Sequence, residues 1–324
     1  MLLKLGSKGA DVELLQAHLT HYNLGENPLS VNGTFDAATQ QALIKFQLDK
    51  NLVADGICGE KSNAALQDFI NKSKKFIVSI HGGHGGMNLD GTYATPANVG
   101  KKYQHKAFGV NLHGDGWFYE GHENRIAANE VAKQLRLLGI FVLVTHDQIK
   151  DDYGNLSRHI KLTAPYIKLG YKGYTHAFHS NAVSTHIEDA NGKFIRDRSQ
   201  EELNKIQGCY VFTSKGNTFS DKVSPIHLNH SKNKFGAWVK LQTKTDMATE
   251  NSDNEANFQV LRDVENAALT YKNPFFGAIL EEHGFMTSLD DCLFITQIET
   301  RKKRVDAAVN TALSAKELLF KPTI

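Results

Sequence analysis

Residues 76–86 read FIVSIHGGHGG. Phe76 to Ile80 is an apolar, β-branched run, and a run of that length predicts a short buried strand. It ends in four glycines that carry His81 and His84. Glycine lets the backbone turn sharply and approach a ligand closely. Imidazole is the commonest side chain for binding a transition metal. A buried strand that delivers histidines into a glycine turn predicts a metal site at the strand's carboxyl end, where open α/β sheets bind ligands.

Outward from that stretch, strand and helix patterns alternate. Trp117-Phe118-Tyr119-Glu120 leads into a predicted helix over 124–138, with Ala127, Val131, Leu135 and Leu138 on one face and Gly139 as its stop. Residues 140–145 (IFVLVT), 174–180 (YTHAFHS) and 275–282 (FFGAILEE) read as strands, and 208–213 (GCYVFT) as a possible fourth. A weaker helical segment covers 156–169. The stripe Val305, Ala308, Val309, Ala312, Ala315 marks a last helix packed on the core. This alternation predicts an α/β domain with a central, mostly parallel sheet and helices on both faces. About thirty residues after the glycine turn, up to His113, read as a long loop of the kind found near sites. The polar stretch 184–260 has no further assignment.

The first seventy residues follow another pattern. Shifted by 23 residues the chain matches itself: Asn32-Gly33 on Asp55-Gly56, Thr39 on Ser62, Ala42-Leu43 on Ala65-Leu66. Asn-Gly and Asp-Gly suit turns, and Thr39 and Ser62 suit helix N-caps. Val12, Leu15 and Leu19 recur at helical spacing ahead of the first copy. The expectation is a small three-helix domain over residues 1–70, a polar, basic linker over 71–75 and the α/β domain over 76–324.

The chain has 324 residues, 41% apolar and 22% charged, an ordinary globular composition with room for two domains. A net charge of +2 argues against nucleic acid as partner. Residues 1–70 hold 5 lysines and 8 acids; the rest hold 32 basic and 27 acidic residues, a weak bias towards an anionic polymer. Cys58, Cys209 and Cys292 are too few and too scattered for a disulfide framework or a cysteine zinc site, and read as small hydrophobes. No apolar run reaches the ~18 residues of a membrane-spanning helix. The start, MLLKLGSKGADVE, turns polar after five residues and lacks the apolar core of an export signal. Synthesis in a cytoplasm without such a signal, and a monomer, are the expectations.

A catalytic zinc site needs three protein ligands and one open position. The candidates are His81, His84, Glu120, His122, Glu123, His176, His179, Glu281, Glu282 and His283. Alternation along a strand lets only one of His176 and His179, and only one of Glu281 and Glu282, face a given site. No HExxH is present, and the residues alone leave the set open at this point.

Two resemblances extend this reading. LKLGSKGADVELLQ, VNGTFDAATQQALIKFQ and NLVADGICGE resemble the peptidoglycan-binding domain 1 family over Leu3 to Leu66. Leu15-Gln16, Gly33, Phe35, Thr39, Phe46-Gln47, Asp55-Gly56 and Gly59 fall on its pattern. Asp36 and Cys58 depart from it, where glycine and an aromatic are usual. HGGHGG, YEGHEN, LVTHD, AFHSNA and AILEEHGF, in that order from Phe76 to about Leu319, resemble zinc-dependent N-acetylmuramoyl-L-alanine amidases of the amidase 3 family. That resemblance implies Zn2+ held by His84, Glu120 and His179, with Glu282 as the catalytic carboxylate. It implies peptidoglycan as substrate, cut between N-acetylmuramic acid and L-alanine. His81 stands where the family usually has an acid, and His122 and Glu123 compete with Glu120. His81, His176, His227 and His230 are expected not to be ligands. An external substrate and a missing export signal together point to a phage endolysin, with a bacterial autolysin as the alternative source. The alternative activities are a zinc endopeptidase of the stem peptide and a non-catalytic wall-binding structural protein.

Overall fold

The computed structural model describes residues 2–95, 101–105, 116–151, 157–213, 219–241 and 259–321. Three helices come first: α1 (Ala10–Tyr22), α2 (Ala37–Asp49) and α3 (Glu60–Ser73). Val12, Leu15 and Leu19 meet Phe35, Leu43, Phe46, Cys58 and Leu66 in one core. The 23-residue repeat has a tertiary cause. Gln16 of α1 donates from Nε2 to Thr34 O, Asn32 Oδ1 and Thr39 Oγ1, and its Oε1 accepts from the Asn32 and Gly33 N–H groups. Gln47 of α2 does the same one copy later, to Ile57 O, Asp55 Oδ1 and Ser62 Oγ, accepting from Gly56 N–H. Each Asn/Asp-Gly turn is clasped by a buried glutamine from the preceding helix. Thr39 and Ser62 are therefore not N-caps. Asp36 caps α2 by accepting from Thr39 N–H at 2.8 Å, and Gly59 occupies the cap position of α3. Helix α3 continues to Ser73, so three of the five residues expected as linker are helical; Lys74, at φ 67°, turns the chain into the sheet.

The strands are β1 (Phe76–Gly82), β2 (Lys102–Gln104), β3 (Trp117–Tyr119), β4 (Phe141–Val144), β5 (Lys172–Asn181), β6 (His186–Glu188), β7 (Phe194–Asp197), β8 (Cys209–Thr213), β9 (Val239–Leu241) and β10 (Phe276–Phe285). Six of them form the central sheet in the order β4-β1-β5-β10-β8-β9. All neighbours are parallel except β10 and β8. Helix α4 (Glu120–Leu137), helix α7 (Ser220–Phe235) and the last helix, Ile298–Phe320, pack on one face. Helix α5 (Ser157–Lys168) and the helix Gln259–Thr270 pack on the other. The expected fold class is the observed one.

The differences are local. Helix α4 begins at Glu120 rather than Asn124, with Glu120 and Glu123 in its first turn, where carboxylates complement the helix dipole. The unassigned stretch contains the β6–β7 hairpin, the short helix α6 (Gln200–Asn204), helix α7 and β9. Residues 242–258 lie outside the described residues. So do 96–100 and 106–115, which take in much of the expected long loop; its described part holds β2, which pairs with β3 beyond the loop. All three cysteines are free and buried. Among the described residues no helix is long and apolar enough to cross a membrane.

The N-terminal helices pack directly on the sheet. Ala17 of α1 shares a core with Ile77, Phe141 and Tyr171. The His21 ring stacks on Phe141 at 4.9 Å, and its Nδ1 lies 3.3 Å from the Tyr171 hydroxyl. Val142 N–H, on the edge strand β4, donates to Leu24 O at 3.2 Å, and Arg136 donates to Leu24 O and Gly25 O. Gly25 has φ 76°, and a side chain there would run into the Val142 carbonyl.

Candidate metal centre

The carboxyl ends of β1 and β5 and the N-terminus of α4 meet at one point. His84 comes from the turn after β1, at φ 62°. A non-glycine residue in that region is uncommon, and the strain is of the kind that clusters at functional sites. Glu120, fully buried, is the first residue of α4. His179 lies near the end of β5. His84 Nε2 is 3.6 Å and His179 Nδ1 3.3 Å from Glu120 Oε1, and the three donor atoms lie within 4.8 Å of one another.

Strand register settles which face each candidate takes. Glu282 of β10 pairs with His179 of β5, so these two neighbours share a face. His176 pairs with Ile279, and Glu281 with Phe178, on the opposite face. Glu123 turns away and receives a forked pair of hydrogen bonds from Arg301. His122 is not among the three donors. His81 sits beside the site, its ring centroid 6.2 Å from that of His179 and 5.7 Å from that of His159.

Two neighbours of Glu120 have no signal in the sequence. Ser180 N–H donates to Glu120 Oε1 at 3.1 Å, and Lys101 Nζ lies 3.8 Å from Glu120 Oε2. Lys101 sits in a polar loop with no periodicity to flag it; Ser180 acts through its backbone, which residue type does not encode.

Burial and neighbouring cations pull the His84 pKa down to about 4, against the opposing pull of Glu120, so its imidazole is neutral at neutral pH. Burial pushes Glu120 up, but His84, Lys101 and His179 outweigh it and hold the carboxyl at about 2. Glu282 goes the other way: burial, then the Glu120 charge, raise it to about 8.

This donor set fits zinc. Two imidazole nitrogens and one carboxylate make three ligands and leave a position open. His84 Nε2 and Glu120 Oε2 are buried with no hydrogen-bond partner among the described residues. The spacings of 3.3 and 3.6 Å around Glu120 Oε1 lie close to the edge of a tetrahedron with zinc–ligand bonds of ~2.0–2.1 Å, which is ~3.3 Å.

Several solved structures resemble the chain. N-acetylmuramoyl-L-alanine amidase AmiC2 of Nostoc punctiforme is 14% identical, with 75% of this chain and 98% of that one covered, at a TM-score of 0.42. The catalytic domain of CwlV, an N-acetylmuramoyl-L-alanine amidase from Bacillus (Paenibacillus) polymyxa var. colistinus, is 12% identical over 76% and 99%, at 0.43. The N-acetylmuramyl-L-alanine amidase Ami1 of Mycobacterium smegmatis is 14% identical over 74% and 96%, at 0.43. No curated protein matches the chain. Residues 8–66, which span most of the three-helix region, match the family model described as "Putative peptidoglycan binding domain".

Proposed function

We propose that this chain is a zinc-dependent amidase of peptidoglycan, cutting between the lactyl group of N-acetylmuramic acid and L-alanine. One observation carries the proposal: His84, Glu120 and His179 converge from three separate segments, with Glu282 beside His179 on the same sheet face. The match of residues 8–66 to a peptidoglycan-binding family supports the substrate class. The five motifs from His81 to Phe285 support the bond.

When bound, zinc polarises an amide carbonyl and makes water more acidic. Everything else falls to this chain's own side chains. Glu282 takes a proton from the attacking water and passes it to the leaving amine nitrogen as the carbon–nitrogen bond breaks. Burial and the Glu120 charge raise the Glu282 carboxyl, so its ionised form is a stronger base than an ordinary carboxylate and takes the water's proton more readily. Glu120 stays ionised, held by Ser180 N–H and Lys101, so it remains a ligand rather than a competing acid. The three-helix region holds the wall polymer near the site and raises its local concentration.

Digestion of purified cell wall tests the proposal through the amine it frees. A new L-alanine amine is expected, absent with Glu282→Ala although that variant keeps its zinc. A new amine on any other stem residue identifies an endopeptidase, and binding without cleavage identifies a wall-binding protein. A lytic role, with release onto the wall from inside an infected cell, is the accompanying proposal. Host cells expressing the chain should then lyse only once their membrane is permeabilised; lysis of intact cells contradicts it.

A further inference from the structure

Behind Glu282, on the opposite sheet face, a second set of ligand-type atoms meets: His176 Nε2 of β5, His227 Nε2 of α7 and Glu281 Oε2 of β10. All three residues are at most 1% exposed. The two oxygens of Glu281 have different surroundings. Oε1 is hydrogen-bonded in the ordinary way, with His283 Nδ1 at 2.6 Å and Arg304 Nε at 3.2 Å, and the Cys209 thiol lies 3.7 Å away. Oε2 lies 3.4 Å from His176 Nε2 and 3.5 Å from His227 Nε2. Beyond this close approach to each other, neither His176 Nε2 nor Glu281 Oε2 has a hydrogen-bond partner among the described residues.

The tautomer of His227 sharpens the point. Thr311 Oγ1 donates its own proton to Ala307 O at 2.7 Å, so it can only accept from His227 Nδ1, 3.0 Å away. When Nδ1 carries the ring's one proton, Nε2 presents a lone pair. That lone pair sits near a carboxylate oxygen, with Ser231 Oγ at 3.5 Å as its other neighbour. Two acceptors buried together repel unless a positive centre lies between them.

We infer that His176, His227 and Glu281 bind a second, structural divalent cation of the zinc class, buried behind the candidate catalytic centre. The spacings of 3.4 and 3.5 Å match the ~3.3 Å edge of tetrahedral zinc coordination. The outer shell is built as metal sites require: Thr311 fixes the His227 tautomer, and His283 and Arg304 orient Glu281. This reverses the expectation that His176 and His227 are not ligands. It also gives the cation a task. β5 carries His176 on one face and His179 on the other, and β10 carries Glu281 and Glu282 likewise. A cation joining His176 to Glu281 pins the strand pair that presents the catalytic face. The rival occupant is a proton shared within the cluster, with Arg304 balancing the carboxylate charge of Glu281.

Metal stoichiometry decides between them without reference to activity. The full chain, produced in zinc-supplemented medium, should carry two equivalents. The double variant His84→Ala, His179→Ala, which lacks the first site, should keep one that survives brief exposure to a chelator. Zero equivalents in the folded double variant overturns the inference. Adding His227→Gln should empty the second site, and an equivalent retained in that folded triple variant overturns the ligand assignment. Should the triple variant not fold, zinc-edge X-ray absorption of the double variant decides: two imidazole ligands are expected, and a histidine-free environment overturns it.

Discussion

Gly83 offers a direct test of the candidate centre. A Cβ built on it would lie 2.5 Å from His179 Nδ1 and 2.6 Å from Nε2. Non-bonded atoms of this kind settle at ~3.5 Å, and the nearest ring atom, Cε1, starts at 2.1 Å, so Gly83→Ala forces the ring back by more than about 1 Å. The backbone cannot yield instead, because Gly83 N–H is bound to Phe178 O on the strand that carries His179. Metal sites tolerate ~0.2 Å in ligand distance, so the displacement is several times the tolerance. Zinc affinity should fall by at least ~10-fold, and wall hydrolysis by ~100-fold, the cost of misplacing reacting groups by that much. Overpacking should cost only ~1–3 kcal/mol of stability. Zinc content and the clearing rate of a wall suspension measure the two effects. Gly59→Ala, with open space around its Cβ, is the control and should change neither. A Gly83→Ala protein with wild-type zinc and wild-type clearing would mean that the His179 ring does not ligate from where it stands.

Other outcomes follow from the same structure. His21 is buried against Phe141 and its pKa is lowered to about 3, chiefly by burial. Its folded value lies below its unfolded one, so stability is complete above pH 6.5 and is lost as pH falls from 6.5 towards 3. At pH 5 the loss is about 2 kcal/mol, from ~1.4 kcal/mol per pH unit; melting curves at pH 7.5 and 5 should show it, and His21→Leu should flatten the difference. Gln16→Ala strands the Asn32 and Gly33 N–H groups and should cost about 3 kcal/mol in denaturant unfolding. A cost near zero would refute the clasp. Prolonged chelation should remove activity and lower the melting temperature, since ligands that bind only the folded chain stabilise it; an unchanged melting curve would count against a resident cation.

The sheet was legible because its strands are buried on both faces. Runs such as FIVSI and FFGAIL allow few other structures. Helix α7 was not, because SDKVSPIHLNHSKNKF carries a proline and few apolar residues to mark a face. Thr39 and Ser62 look like caps from local sequence because their partners, Gln16 and Gln47, are distant in sequence, and local propensity contains no such contact. Alternation correctly allowed only one of each pair, His176 or His179 and Glu281 or Glu282, on a given face. Register showed which pair faces Glu120, and that depends on how two strands 100 residues apart align. His227 lay in the stretch with no assignment at all, so a role for it could come only from three dimensions.

The contact between Leu24 and Val142 bears on how the chain can be cut. A strand at the rim of a sheet offers unpaired amides to any other chain, and proteins protect such rims. Here the covering is supplied by the loop after α1. Removing residues 1–75 to isolate the α/β half would strip that cover from β4 and leave Phe141 without the ring stacked on it. The trimmed protein should self-associate as concentration rises, and the three-helix region thereby acts as a guard against aggregation.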